Sequence, residues 1–335
     1  MRPLTLPPGF PFPGMVRAVS DGDTMHDGRD EHYLAVGLSA LACISDAMAG
    51  RQPRRILDLP SGFGRVTRLL RAQYPRAAIT VCDLDRPGVD FAAAQFDARP
   101  AYSVEDFTTL ALGETYDLVW VGSLVTHLNE RQVRAFMAAM ARHMRPGGVL
   151  VASAHGPGIA DALHDWGYGL EPSAVAGLLD DYGGVGYGHR GYGGGDGYGI
   201  SITDALWWQE ATATGPFRLA AHLPKAWDEH QDIVVLRRGI GLPRWMAKFA
   251  KQRGGQPPDT AAMALREQTS RCDASLRSFD AAFYLADNPD VALAIADGHY
   301  ASAFQHYWRR GRFEDRLPHA PAATLAAAGA ACALT

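Results

Sequence analysis

A chain of 335 residues with 47% hydrophobic content has the length of about two domains and enough apolar residues to bury a full core. Its formal net charge of -4 supplies no overall positive field, which disfavours a nucleic-acid binder. Cys43, Cys82, Cys272 and Cys332 lie far apart with no CxxC spacing, so they are read as reduced thiols of a cytoplasmic protein rather than as disulfide or zinc partners. No run approaches the ~20 apolar residues of a membrane helix. Prolines at Pro3, Pro7, Pro8, Pro11 and Pro13 break the amino terminus, which rules out the apolar core of a signal peptide.

Behind this Pro-rich lead (residues 1–20), Leu34, Leu38, Leu41 and Ile44 recur at helical spacing and predict a helix over Tyr33 to Met48, ended by Gly50 and Pro53. Ile56, Leu57 and Leu59 form the short apolar run of a buried parallel strand, followed by the turn Pro60-Ser61-Gly62-Phe63-Gly64. Gly62 and Gly64 lack Cβ atoms, so the turn can take positive φ. A ligand can then lie against the main chain beside the amino end of a helix starting near Arg65. A second strand, AAITVCDLD, ends in acids at Asp83 and Asp85. Strand, glycine turn, helix and a strand with an acidic end make half of a doubly wound sheet.

Ala101 to Ser103 predicts a short third strand, with Asp106 beyond it. YDLVWV, from Tyr116 to Val121, predicts a fourth strand buried on both faces. An amphipathic helix over Arg131 to Met144 leads into RPGGVLVASAHG, a turn and a fifth strand ending near His155. Residues 180–200 are too rich in glycine for a regular core element; their interleaved tyrosines are readable as a mobile lid over a substrate or as an irregular surface loop. Phe217 to Leu223 and Asp232 to Arg238 read as the last two strands. A hairpin between them puts the PKAWDEHQ loop on the same rim as the glycine turn. The main domain thus covers residues 21–240, followed by a linker (241–260), a small helical module (261–318) and an Ala-rich tail (319–335).

The glycine turn has no third glycine for the G-x-G-x-x-G dinucleotide fingerprint, which argues against NAD. Instead Asp58 to Gly64 (D-x-P-x-G-x-G), Asp83, YDLVWVGSLVTHL and RPGGVLVAS, in that order, resemble the motifs of class I S-adenosylmethionine-dependent methyltransferases. The resemblance covers roughly Tyr33 to Arg238. It implies a doubly wound, Rossmann-like α/β sheet of seven strands with the last antiparallel, followed by the small C-terminal helical module. Pro60 departs from the commoner glycine and resembles a subgroup associated with bacterial glycan biosynthesis. By resemblance, Asp83 holds the donor's ribose hydroxyls and Leu84 covers adenine, with Ser103 or Asp106 at the adenine edge. Asp58, Pro60, Ser61, Gly62 and Gly64 form the turn, and Gly122 and Ser123 supply backbone contacts. Capping of the following helix is a plainer account of Asp58.

Methyl transfer chiefly requires alignment of acceptor, methyl and leaving group, and a hydroxyl acceptor also needs a base. Three histidines stand at expected carboxyl-end positions of the sheet: His127, His155 and His230. His127 is also readable as packed under the following helix, His155 as a hydrogen-bonded strand end and His230 as a polar hairpin tip. Trp227 and Asp228 flank His230 as a candidate substrate wall. Tyr198, with Tyr182, Tyr187 and Tyr192, offers aromatic faces suited to sugar rings. Met25, His26 and Tyr33 are a candidate flap. No HxxxH or carboxylate spacing points to a metal. The expected activity is methylation of a sugar hydroxyl in a glycan or nucleotide-sugar precursor. Methylation of a natural-product oxygen or amine, and a non-catalytic donor sensor, are the rivals.

Overall fold

The computed structural model describes residues 1–160, 162–163, 167–194, 197–239, 281–296, 303, 306 and 316–317. The linker at 241–260, the tail at 319–335, Cys272, Cys332 and most of the helical module lie outside the described residues.

Helix α1 (Asp30–Met48) carries Asp30 and Glu31 in its first turn, where carboxylates complement the helix dipole. It closes on Ala49 in the left-handed conformation. Then come β1 (Arg55–Asp58), α2 (Thr67–Gln73), β2 (Ala78–Asp83), α3 (Arg86–Gln95), β3 (Arg99–Tyr102) and β4 (Tyr116–Val121). Helix α4 (Glu130–His143) opens on a reciprocal capping box between Asn129 and Gln132. Strand β5 (Met144–Ala154), helix α5 (Pro172–Val185), strands β6 (Tyr187–Gly191) and β7 (Gly199–Thr203), helix α6 (Ala205–Thr212), and strands β8 (Phe217–Trp227) and β9 (Gln231–Arg238) complete the domain.

The central sheet has seven strands in the order β8-β9-β5-β4-β1-β2-β3. From β3 to β5 all neighbours are parallel, whereas β9 lies antiparallel between β5 and β8. Asp58, Asp83, Val121 and Ala154 therefore end their strands on one rim. Because β9 runs the other way, its beginning lies there too, with Asp232 opposite Ala154.

Alternate residues of β4 feed the two faces, as the two-residue period of a strand requires. Leu118 and Trp120 join the cluster under α1, α2 and α3, while Val119 and Val121 join the one under α4 and α6. All four are at most 1% exposed, and burying each such side chain contributes about 1.5–3 kcal/mol. The Pro-rich lead packs into the first cluster through Leu4, Phe10, Met15 and Val19.

The glycine-rich stretch is regular. Strands β6 and β7 pair antiparallel from Tyr187–Thr203 to Gly191–Gly199, and hydrogen bonds tie the hairpin to the sheet. The Ser201 hydroxyl donates to the Val125 carbonyl (2.7 Å) and the Thr203 N–H to the His155 carbonyl (2.8 Å). Tyr182 and Tyr187 are core residues, 4% and 5% exposed. Among the described residues, the stretch expected to be irregular thus forms a hydrogen-bonded hairpin over the rim.

Of the carboxyl-terminal module, α7 (Ala281–Asp287) and α8 (Pro289–Ala296) are described, with Tyr284 and Val291 buried. Among the described residues, no helix is long and apolar enough to cross a membrane, and Cys43 and Cys82 are unpaired and buried.

Candidate active site

The β1 turn is built around missing side chains. Gly62 (φ +48°) has nothing within 4 Å of where a Cβ would stand, so the space above it is open. A Cβ on Gly64 (φ +82°) would lie 2.3 Å from the Phe96 ring. Gly88, in the first turn of α3, is the close-approach glycine that the fingerprint lacks, since a Cβ there would stand 2.9 Å from the Gly62 carbonyl oxygen. The Leu59–Pro60 peptide is cis, and Ser61 beside it is buried.

Asp58 is 1% exposed. It caps no backbone N–H: it accepts the Thr67 hydroxyl at 2.5 Å, and its second oxygen has no hydrogen-bond partner among the described residues. Burial, with Asp83 nearby, pushes its carboxyl up to about 7 against the Thr67 bond. Asp83 ends β2 and accepts the N–H groups of Gly62 (2.7 Å) and Asp85 (3.1 Å). Leu84 beside it is 58% exposed. Ser103 donates its N–H to the Asp83 carbonyl at 2.8 Å. Asp106 is spent on its own turn, accepting from the backbone and hydroxyl of Thr108.

After β4, a Cβ on Gly122 would be 3.0 Å from the Trp120 indole nitrogen. Ser123 holds φ +56°, a conformation costly for a residue with a side chain. Two groups pin it there: its N–H donates to the Ser153 hydroxyl (2.7 Å), and Gln231 Nε2 donates to its hydroxyl (2.8 Å). Gln231 Oε1 is buried with no partner among the described residues.

The three histidines converge. His127 and His155 donate Nδ1–H to the carbonyls of Gly199 (2.7 Å) and Ser201 (3.1 Å). A carbonyl only accepts, so both rings carry the proton on Nδ1 and present the lone pair of Nε2. His127 is half-buried and stacks under Tyr198 at 4.6 Å, and its burial lowers its pKa. His155 is 4% exposed; burial, then the neighbouring His127 and His230, bring it down to about 3. The His155 and His230 rings are 6.0 Å apart. His230 Nε2 shares a hydrogen bond with the Tyr168 hydroxyl (2.9 Å), and burial lowers its pKa.

Two expectations change here. Trp227 is not an open wall: it is 5% exposed, crosses Trp120 edge-on at 5.2 Å and gives its indole N–H to the Val36 carbonyl. Tyr33 is not a flap either. It is 1% exposed and gives its hydroxyl to Asp23 at 2.7 Å, while His26 is held by Asp30 at 2.9 Å and Met25 is exposed. Asp228 sits in the β8–β9 turn at φ +54° and anchors it to α1 through the Ser39 hydroxyl (2.9 Å).

Arg65, Tyr168, Ser153, Gln231 and Gly88 were not singled out in the sequence. Arg65 runs over the Tyr33 ring at 5.7 Å. Its guanidinium makes no ion pair or hydrogen bond among the described residues, and burial lowers its pKa, with the charges of Tyr33, Asp23 and Asp228 opposing. Only the G-R that follows the turn could have flagged it. Tyr168, held at φ +49° between Gly167 and Gly169, belongs to no motif.

Residues 56–148, which carry β1, the glycine turn, Asp83 and β4, match the family model described as a methyltransferase domain. Over these residues the chain carries a methyltransferase domain. Two curated relatives are malonyl-[acyl-carrier protein] O-methyltransferases. The protein from Hahella chejuensis is 28% identical over 141 residues, 37% of this chain and 50% of the relative. The one from Paenibacillus sp. is 28% identical over 131 residues, 35% of this chain and 47% of the relative. The chain thus spans about half the length of the curated relatives it matches.

Two solved structures are also similar to the methyltransferase domain. The magnesium protoporphyrin IX methyltransferase of Synechocystis, with S-adenosylhomocysteine bound, shares 16% identity at a TM-score of 0.44, covering 64% of this chain and 91% of that one. The amino pentose methyltransferase of Micromonospora echinaspora shares 18% at 0.42, covering 61% and 91%.

Proposed function

We propose that this chain transfers the methyl group of S-adenosylmethionine to a hydroxyl of a small polyhydroxylated acceptor, such as a sugar or nucleotide-sugar precursor, with His127 as the base. The observation that supports this most is the pair of imidazoles fixed by the β6–β7 hairpin at the carboxyl rim, with His127 under the exposed face of Tyr198.

The rim fits the donor. Above Gly62 there is room for a ligand against the main chain, and Asp83, accepting only backbone N–H groups, keeps acceptor capacity for ribose hydroxyls. Leu84 and Ser103 flank it on the adenine side. Arg65, a guanidinium in search of an acceptor, suits the donor's carboxylate. The donor supplies a methyl already activated by its positive sulfur.

The chain's share of the chemistry is orientation and one proton. Ser123, Ser153 and Gln231 fix the rim between the donor turn and the histidines. His127 Nε2 takes the acceptor's O–H proton as the O–C bond forms and the C–S bond breaks, the electron pair leaving with sulfur. His155, held neutral, is too weak a base for that step and serves as a wall, while His230 and Tyr168 orient the acceptor. Tyr168 and Tyr198 offer ring faces to the apolar C–H side of a sugar, whose hydroxyls the imidazoles meet.

Incorporation of labelled methyl into a panel of nucleotide sugars, with wild type and His127→Ala compared, tests this. Transfer only to amines or natural-product oxygens would replace the sugar acceptor. Donor binding with no transfer to any acceptor would favour a sensor.

A further inference from the structure

The opposite rim of the sheet holds a second feature, independent of the methyl-transfer reading. Arg55 opens β1 just after Arg54, Ala78 opens β2 just after Ala77, and Arg145 lies at the start of β5. Together with Arg76 they line a cleft of about 940 Å³, within the size range of small-molecule sites. No carboxylate is among its lining residues.

The charges there are poorly balanced. Glu114 pairs with Arg99 at 2.7 Å and reaches Arg55 only at 3.8 Å. Asp117 stands 3.4 Å from the Arg145 guanidinium and already accepts the backbone N–H groups of Arg54 and Arg55, each at 2.9 Å. Among the described residues, the guanidiniums of Arg54 and Arg76 make neither an ion pair nor a hydrogen bond. Glu114 and Asp117 offset part of the charge of Arg55 and Arg145, so Arg54 and Arg76 leave an excess of positive charge in the cleft. Guanidinium forks match phosphate oxygens two at a time. Gln52 and Gln73 add amide donors, and Pro53 and Pro75 add apolar wall.

We propose that this cleft binds a small molecule bearing a diphosphate, with Arg54 and Arg76 as the principal grips and Arg55 and Arg145 as secondary ones. Two uncompensated guanidiniums fit two linked phosphates better than one. The site is not the methyl-transfer site seen from behind: strands of four to six residues separate the rims, on the order of 13–20 Å at about 3.3 Å per residue.

Calorimetry with inorganic pyrophosphate on the full-length chain at physiological salt tests it. One-to-one binding is expected, weakened at least tenfold in the Arg54→Glu/Arg76→Glu double variant, with S-adenosylhomocysteine affinity equal in both proteins as the control for folding. If that variant does not fold, Arg54→Gln/Arg76→Gln carries the same expectation. No saturable binding, binding unchanged in the double variant, or equal binding of sulfate and orthophosphate (an adventitious ion only) would each overturn the proposal.

Discussion

His127 and His155 donate to carbonyls two residues apart on one strand, those of Gly199 at 2.7 Å and Ser201 at 3.1 Å. Carbonyls at that spacing point the same way along a strand edge. One strand therefore sets both tautomers and leaves Nε2 as the acceptor atom of each ring.

Burial lowers the pKa of His127 from 6.5, so the neutral, proton-accepting form prevails at neutral pH. The rate is expected to rise as pH climbs through that lowered value and to be level above 6.5. His127→Ala should reduce kcat by about 10²–10⁴ and abolish the acid limb, leaving donor affinity unchanged. Steady-state kinetics across the acid range check both.

The two glycines of the donor turn should respond differently to one methyl group. Gly62→Ala meets only the penalty of a left-handed backbone, about 1–2 kcal/mol. Gly64→Ala meets that penalty and the Phe96 ring at 2.3 Å, and overpacking adds roughly 1–3 kcal/mol. Urea unfolding of the two variants is expected to rank Gly64→Ala as clearly the less stable.

Asp58 makes stability depend on pH. Its folded pKa, raised to about 7 from 3.8, means that the folded state holds a proton the unfolded state has released. Stability is unaffected below the unfolded value and falls as pH rises from there through the folded one, by roughly 4 kcal/mol in all. Asp58→Asn should remove that slope, which chemical denaturation at a series of pH values would reveal.

Much of this site is written plainly in the chain. Ile56 to Asp58 and Tyr116 to Val121 announce buried parallel strands because no neighbouring residue dilutes them. The hairpin logic of the last strands brought His230 to the rim of His127 and His155. The β6–β7 hairpin is hidden because glycine content gives no strand signal of its own. A Cβ on Gly188 would stand 2.2 Å from the Leu178 carbonyl oxygen, and one on Gly199 would stand 2.0 Å from that of Arg190, so these glycines permit close packing. Trp227 misled for the converse reason: its polar neighbours on the turn say nothing about its own ring, which Trp120 and the Val36 carbonyl absorb. Helix α3 escaped notice because its apolar residues are mostly alanines, a weak periodic signal.

Arg65 offers a test of donor orientation. Arg65→Gln should weaken S-adenosylmethionine binding by about tenfold while leaving the affinity for the decarboxylated donor unchanged, since only the carboxylate loses its charged partner. Competition binding with the two donors makes the comparison. Equal loss for both would take Arg65 out of the donor site.

The proposed methyl transfer depends on the β1 turn and Asp83 holding the donor. Titration of S-adenosylhomocysteine into the full-length chain measures this most directly. One-to-one binding is expected for the wild type and its loss for Asp83→Ala. A folded wild-type protein giving no saturable heat, or an Asp83→Ala variant binding as tightly as wild type, would contradict it.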